Sequence, residues 1–116
     1  MKHTESKIQS ACVNEFRRLF PKYAMVLFAI PNGGARDAKT GYWLKQEGVI
    51  AGVPDLLLAV PKGKYASLYI EIKSPIGRQT KEQILMQVEL EHHGNKYVIC
   101  RNVEQFIEEI QNYLSQ

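Results

Sequence analysis

In Leu68-Tyr69-Ile70-Glu71-Ile72-Lys73 an extended chain turns Leu68, Ile70 and Ile72 to one side and Tyr69, Glu71 and Lys73 to the other. A carboxylate and an ammonium thus share one face and one potential ligand. Alone, such a pair describes a solvated strand face with a weak ion pair. Asp55 changes that reading. Pro54 lacks a backbone donor and biases Val53 toward extended geometry, so a strand opens at Asp55. Asp55 and Glu71 then fall on the two arms of a hairpin, where their side chains approach one point. Two carboxylates held together repel unless they share a proton or a cation. Mg²⁺ suits such a pair: it takes one or two carboxylates, keeps several waters and accepts phosphate oxygens.

Two more residues join this set. Glu15 lies among Ala11, Cys12 and Leu19 at helical spacing, a carboxylate in the middle of a buried apolar stripe. It either assists a metal from the first helix or pairs with a buried Lys or Arg. Lys73 beside a metal would orient a water or neutralise charge on a phosphoryl transition state. Gln83 follows Thr80 at capping-box spacing, which explains it structurally and leaves a role at the site open.

The elements that must position these residues are legible from periodicity. Ile8, Ala11, Cys12, Phe16 and Leu19 predict a helix from Thr4 to about Phe20, stopped by Pro21. The apolar run Met25–Ile30 predicts a strand, with a tight loop at Pro31-Asn32-Gly33-Gly34. Residues 35–53 read as irregular and basic, with Tyr42-Trp43-Leu44 in their midst and room for one short helix. Strands follow at Asp55–Val60 and Ser67–Lys73, joined by a turn at Pro61-Lys62-Gly63-Lys64. A helix capped by Thr80 runs to about His93, Gly94-Asn95 ends it, and Lys96–Cys100 is a fourth strand. Val103, Phe106, Ile107, Ile110 and Leu114 mark one face of a closing helix. The order predicts an α/β fold, a mixed central sheet flanked by helices, as one domain over residues 1–116.

Composition constrains less. With 45% hydrophobic and 23% charged residues the 116-residue chain is ordinary for a globular protein. Its net charge of +3 suits a nucleic-acid partner without demanding one. Cys12 and Cys100 read as small buried hydrophobes in a reducing cytosol, with a disulfide the less favoured alternative. No apolar run approaches the roughly 20 residues of a membrane helix, and the polar N-terminus lacks a signal-peptide core. The expectation is a cytoplasmic protein, in a bacterial or phage-infected cell, with no membrane partner. His92-His93 point apart on their helix and read as polar residues near its C-terminus.

Taken in order, Ile30-Pro31-Asn32-Gly33-Gly34, Gly48-Val49-Ile50-Ala51-Gly52-Val53-Pro54-Asp55-Leu56, Ile70-Glu71-Ile72-Lys73 and Gly77-Arg78-Gln79-Thr80-Lys81-Glu82-Gln83 resemble the virus-type replication–repair nuclease (VRR-NUC) branch of the PD-(D/E)XK superfamily. The resemblance covers nearly the whole chain, and the core residues show no departure from it. It implies a restriction-endonuclease-like core in which Asp55, Glu71 and the Ile72 backbone carbonyl bind Mg²⁺ or Mn²⁺. Lys73 would position or activate the attacking water, and Glu15 and Gln83 would support the site. The implied reaction is phosphodiester hydrolysis in DNA. Stand-alone members of this branch resemble homodimeric enzymes that resolve branched DNA such as four-way junctions.

Arg36, Lys39 and Lys45, with Arg78 and Lys81 as a second basic spot, are candidates to hold phosphates, and Tyr42 or Trp43 to stack on unpaired bases. A solvated loop anchored by one aromatic explains the first segment equally well. Three other readings stand beside the structure-selective nuclease: a same-fold enzyme cutting ordinary duplex DNA, a binding module that does not cleave, and a structural domain with surface charges.

Overall fold

A computed structural model of the chain describes residues 3–31 and 38–116. Helix α1 (His3–Leu19) leads through a 3₁₀ segment (Pro21–Val26) to strand β1 (Leu27–Ala29). Helix α2 (Ala38–Gln46), strands β2 (Leu56–Leu58) and β3 (Leu68–Ile72), helix α3 (Lys81–His92), strand β4 (Lys96–Cys100) and helix α4 (Val103–Leu114) follow.

The four strands lie in sequence order. β1 pairs with β2 and β2 with β3 antiparallel, while β3 pairs with β4 in parallel. A parallel pair needs a crossover, and α3 supplies it. This is the mixed sheet flanked by helices that the element order predicts.

One sheet face carries the core. Leu56, Leu58, Leu68, Ile70, Ile72, Val98 and Cys100 pack there against Cys12 and Phe16 of α1 and Phe106, Ile110 and Tyr113 of α4. Cys12 and Cys100 are free thiols, each pushed up to about 12, first by burial and then by Glu104 and Glu109 respectively. They serve as packing groups, as expected of buried thiols away from cations.

The strand expected from Met25 starts later. Pro21 suits the first position of a tight helical turn, and Tyr23 N donates to Phe20 O at 2.9 Å. Met25 is 92% exposed, so this part of the apolar run faces solvent, and sheet pairing begins at Leu27. Residues 32–37, with most of the expected Pro31–Gly34 loop, lie outside the described residues.

The capping box forms as read. Gln83 N donates to Thr80 Oγ1 at 3.1 Å, and Thr80 N donates to Gln83 Oε1 at 2.8 Å. Gly52 matters just upstream. At φ 93° a Cβ there would lie 2.5 Å from the Glu82 carbonyl, so only glycine lets this loop press against the start of α3.

Candidate active site

Asp55 is held by its backbone before its side chain does anything. Its N–H donates to Ile70 O at 3.1 Å, and its carbonyl accepts from Ile30 N at 2.9 Å, tying it to the strands on either side. Its Oδ2 accepts from Ile72 N at 2.7 Å, capping the end of β3 where β2 has not yet begun. The alternation of β3 puts Glu71 and Lys73 on the face opposite the Ile70–Ile72 core. Both are buried all the same: Asp55, Glu71 and Lys73 are 5%, 3% and 6% exposed. Buried charge of this kind needs partners.

Glu71 has them on both oxygens. Gln83 Nε2 donates to Oε2 at 3.1 Å, with Lys73 Nζ 3.9 Å from the same atom, and Tyr97 Oη donates to Oε1 at 3.5 Å. Gln79 Nε2 in turn donates to Tyr97 Oη at 3.3 Å and to Gln87 Oε1 at 2.9 Å. Burial foremost, then the neighbouring Asp55, pushes the Glu71 carboxyl up to about 9. Asp55 is raised too, chiefly by burial, with Glu5 adding repulsion.

Glu5 is the acidic residue that α1 contributes. Its Oε2 accepts from Ser74 N at 3.2 Å, one residue past Lys73. Glu15, expected in this role, lies elsewhere. It pairs with Arg18 and lines a groove with Leu19, Val103, Ile107 and Gln111, between α1 and α4. Ten residues of helix separate Glu5 from Glu15, about 15 Å along the axis. The inward stripe of α1 is Ile8, Cys12 and Phe16, which face the core, whereas Ala11 and Leu19 are exposed. Glu5 sits three residues before Ile8, in register with the true stripe at its polar end. That register was the signal available in the sequence. An acid in the first turn of a helix has an ordinary explanation, which masked it.

The remaining candidates divide. Gln83 reaches Glu71. Lys45, in the last turn of α2, and Arg78 and Lys81, flanking the α3 cap, are exposed and free to meet an anionic ligand. Arg36 and the Lys39 side chain lie outside the described residues. Tyr42 and Trp43 stand edge to face at 5.3 Å between ring centroids, both more than half exposed, so neither anchors its segment to the core. Tyr97 and Gln79 were not foreseen, because a tyrosine on an alternating strand and a glutamine before a cap carry no mark of their own.

Among the described residues no three Asp, Glu, His or Cys side chains close into a metal cage. The donor set is an open one. Two buried carboxylates crowd each other, and a third acid stands close enough to raise both. Concentrated negative charge with free coordination positions fits a hard divalent cation that keeps its waters.

The same electrostatics predict a pH dependence. The folded chain holds a proton on Glu71 up to about 9, whereas an ordinary glutamate releases it near 4.5. Between those values the unfolded chain binds fewer protons, so metal-free stability falls as pH rises through that window. Thermal unfolding followed by circular dichroism in EDTA should show Tm decreasing from pH 5 to 9. Saturating Mg²⁺ should raise Tm most at the alkaline end, because the cation competes with that proton. A metal-induced rise in Tm that shrinks with pH would contradict this account.

A hairpin-and-crossover sheet with a proline-led aspartate and a Glu-x-Lys strand end is the arrangement of a nuclease of PD-(D/E)XK type. The VRR-NUC domain model matches residues 3–104, and the chain belongs to that family. A solved structure described as a VRR_NUC domain protein is similar throughout, with a TM-score of 0.84 and 26% identity over 99% of this chain and 91% of that one. No curated protein matches the chain.

Proposed function

We propose that the protein is a metal-dependent endonuclease that hydrolyses DNA phosphodiester bonds, acting as a homodimer on branched DNA such as four-way junctions. The observation that carries the hydrolytic reading is the buried pair Asp55–Glu71 with buried Lys73 beside it. A module that merely bound phosphate would gain from losing those two carboxylates. A structural domain gains nothing from three buried ionisable groups at one point.

Asp55, Glu71 and the Ile72 carbonyl are the residues to hold Mg²⁺ or Mn²⁺, which when bound supplies Lewis acidity toward the scissile phosphate and acidifies a water. Gln83 and Tyr97 orient the two oxygens of Glu71, so its lone pairs face the site in a fixed direction. Lys73, held by Glu71, donates to the attacking water and offsets charge growing on the phosphoryl oxygens. Lys45, Arg78 and Lys81 provide exposed cations for the flanking phosphates.

Helix α3 supports the paired state. Its half-buried residues are Gln83, Met86, Gln87 and Leu90, whereas Ile84, Leu85 and Val88 are exposed. The helix therefore turns two glutamines inward beside Met86 and Leu90 and leaves an aliphatic patch outward. Lys81 lies at one end of this patch and Glu89 and Glu91 at the other. An antiparallel second copy would set Lys81 against the acids of its twin, the self-complementarity that a two-fold axis requires. Leu85→Glu combined with Val88→Glu should convert a dimer into a monomer in sedimentation equilibrium, with an unchanged circular dichroism spectrum. A wild type that is monomeric at working concentration would refute the paired state.

The activity itself is tested by incubating labelled linear duplex, flap and four-way junction DNA with the protein in Mg²⁺, Mn²⁺ or EDTA. Metal-dependent cutting, strongest on the branched substrates, is expected. Equal cutting of linear duplex would favour the ordinary duplex enzyme, and cutting of nothing with either metal would overturn the nuclease reading.

A further inference from the structure

The turn that follows Lys73 is clamped from three sides. Gly77 N donates to Ser74 O at 3.1 Å, closing Ser74–Gly77 as a tight turn. Arg101 Nη1 reaches across from the end of β4 and donates to Ser74 O and Gly77 O, both at 2.7 Å. Glu5 holds Ser74 N from below, and a Cβ at Gly77 would lie 3.0 Å from Ser74 Oγ and 3.2 Å from Glu5 Oε2. Pro75 fixes one further backbone angle. Within this braced frame one side chain touches almost nothing: Ile76 is 90% exposed. Turn tips normally carry polar residues, and this one presents a branched apolar group three residues from Lys73, with the exposed Arg78 on its other flank.

We infer that Ile76 is a wedge that enters an opened base step of the nucleic acid beside the scissile phosphate, selecting substrates whose stacking is already interrupted. Apolar side chains inserted between bases unstack them and kink the duplex, and the energy required is least where a branch, nick or flap has already broken the stack. A rigid tip suits this role because little freedom is lost when it is inserted. The exposed Arg78 holds the backbone while the isoleucine addresses the bases. Ile76 thus acts in substrate selection, apart from the hydrolytic chemistry, and the inference rests on the nuclease reading above.

The test uses the full chain with Ile76→Ser, and with Ile76→Leu as the conservative control. Four-way junctions carrying 2-aminopurine at the step next to the branch report unstacking as a rise in fluorescence on binding. This readout is taken in EDTA and needs no cleavage. Wild type and Ile76→Leu should produce the rise and Ile76→Ser should not. In Mg²⁺, Ile76→Ser should cut junctions about tenfold more slowly while cutting single-stranded DNA at the wild-type rate. Equal fluorescence and equal rates for all three proteins would overturn the wedge. So would an Ile76→Ser protein whose change is confined to its sedimentation, which would make the tip a protein contact. Fluorescence that follows the expected pattern without any cutting would sink the nuclease reading and leave the wedge standing.

Discussion

Asp55→Asn should abolish metal-dependent hydrolysis and at the same time raise the thermal stability of the metal-free protein. Loss of a ligand to the cation removes several kcal/mol of transition-state stabilisation, a fall of about 10³-fold or more in kcat/KM. Stability moves the other way because the aspartate is buried, raised chiefly by that burial and repelled by Glu5. The amide keeps the acceptor for Ile72 N and discards the charge. Each kcal/mol gained is worth roughly 4 °C in Tm for a domain of this size. Calorimetric unfolding in EDTA and steady-state cleavage in Mg²⁺ measure the two halves separately. Glu5→Gln should follow the same direction with a smaller loss of activity, about 10–100-fold. Glu15→Gln should leave activity alone, since Arg18 and the α1–α4 groove are its surroundings. If Glu15→Gln were the variant that lost cutting, the assignment of Glu5 to the site would be wrong.

Lys73→Ala should separate chemistry from metal binding. The ammonium lies 3.9 Å from Glu71 Oε2 and donates nothing to a cation, so its removal acts on the water and the phosphoryl charge. Removing one preorganised donor at such a site costs about 10²–10³-fold in kcat. Mg²⁺ affinity, read by titration calorimetry, should change far less than kcat. Lys73→Ala also leaves Glu71 with one fewer positive neighbour, so its proton is harder to remove and the Tm of the metal-free variant should go on falling with pH beyond about 9, where that of the wild type levels off. A variant that lost metal affinity in proportion to rate would place Lys73 among the groups that build the metal site instead.

These two variants probe the part of the molecule most legible in the sequence. Pro54-Asp55 reports a strand start through backbone sterics that involve only adjacent residues. Glu71 and Lys73 report a shared strand face through a period-two alternation that holds in any sheet. The Thr80–Gln83 capping box is likewise a contact made within one helical turn, and it formed with both hydrogen bonds. The order of strands and helices followed from the same local patterns, and the mixed sheet followed from that order.

The misreadings share a different character. Glu15 reads as the buried acid when Ala11 and Leu19 share its stripe, but only the docking of α1 on the sheet decides which residues face inward, and both are exposed. Met25 looked like a strand residue because an apolar run has no direction, and the 3₁₀ segment after Pro21 leaves it bare. Tyr97 meets Glu71 across a parallel strand pair, 26 residues apart, through a crossover whose register the sequence does not state.

Local sterics and periodicity, which the sequence carries residue by residue, therefore determined the elements and the Asp55–Glu71–Lys73 set. Tertiary structure alone decided that these groups are buried, that Glu5 comes near enough to raise both carboxylates, and that α3 leaves Ile84, Leu85 and Val88 to solvent. Burial and convergence depend on how helices cross the sheet, and that crossing is set by the packing of side chains distant in the chain, which no short window of sequence contains.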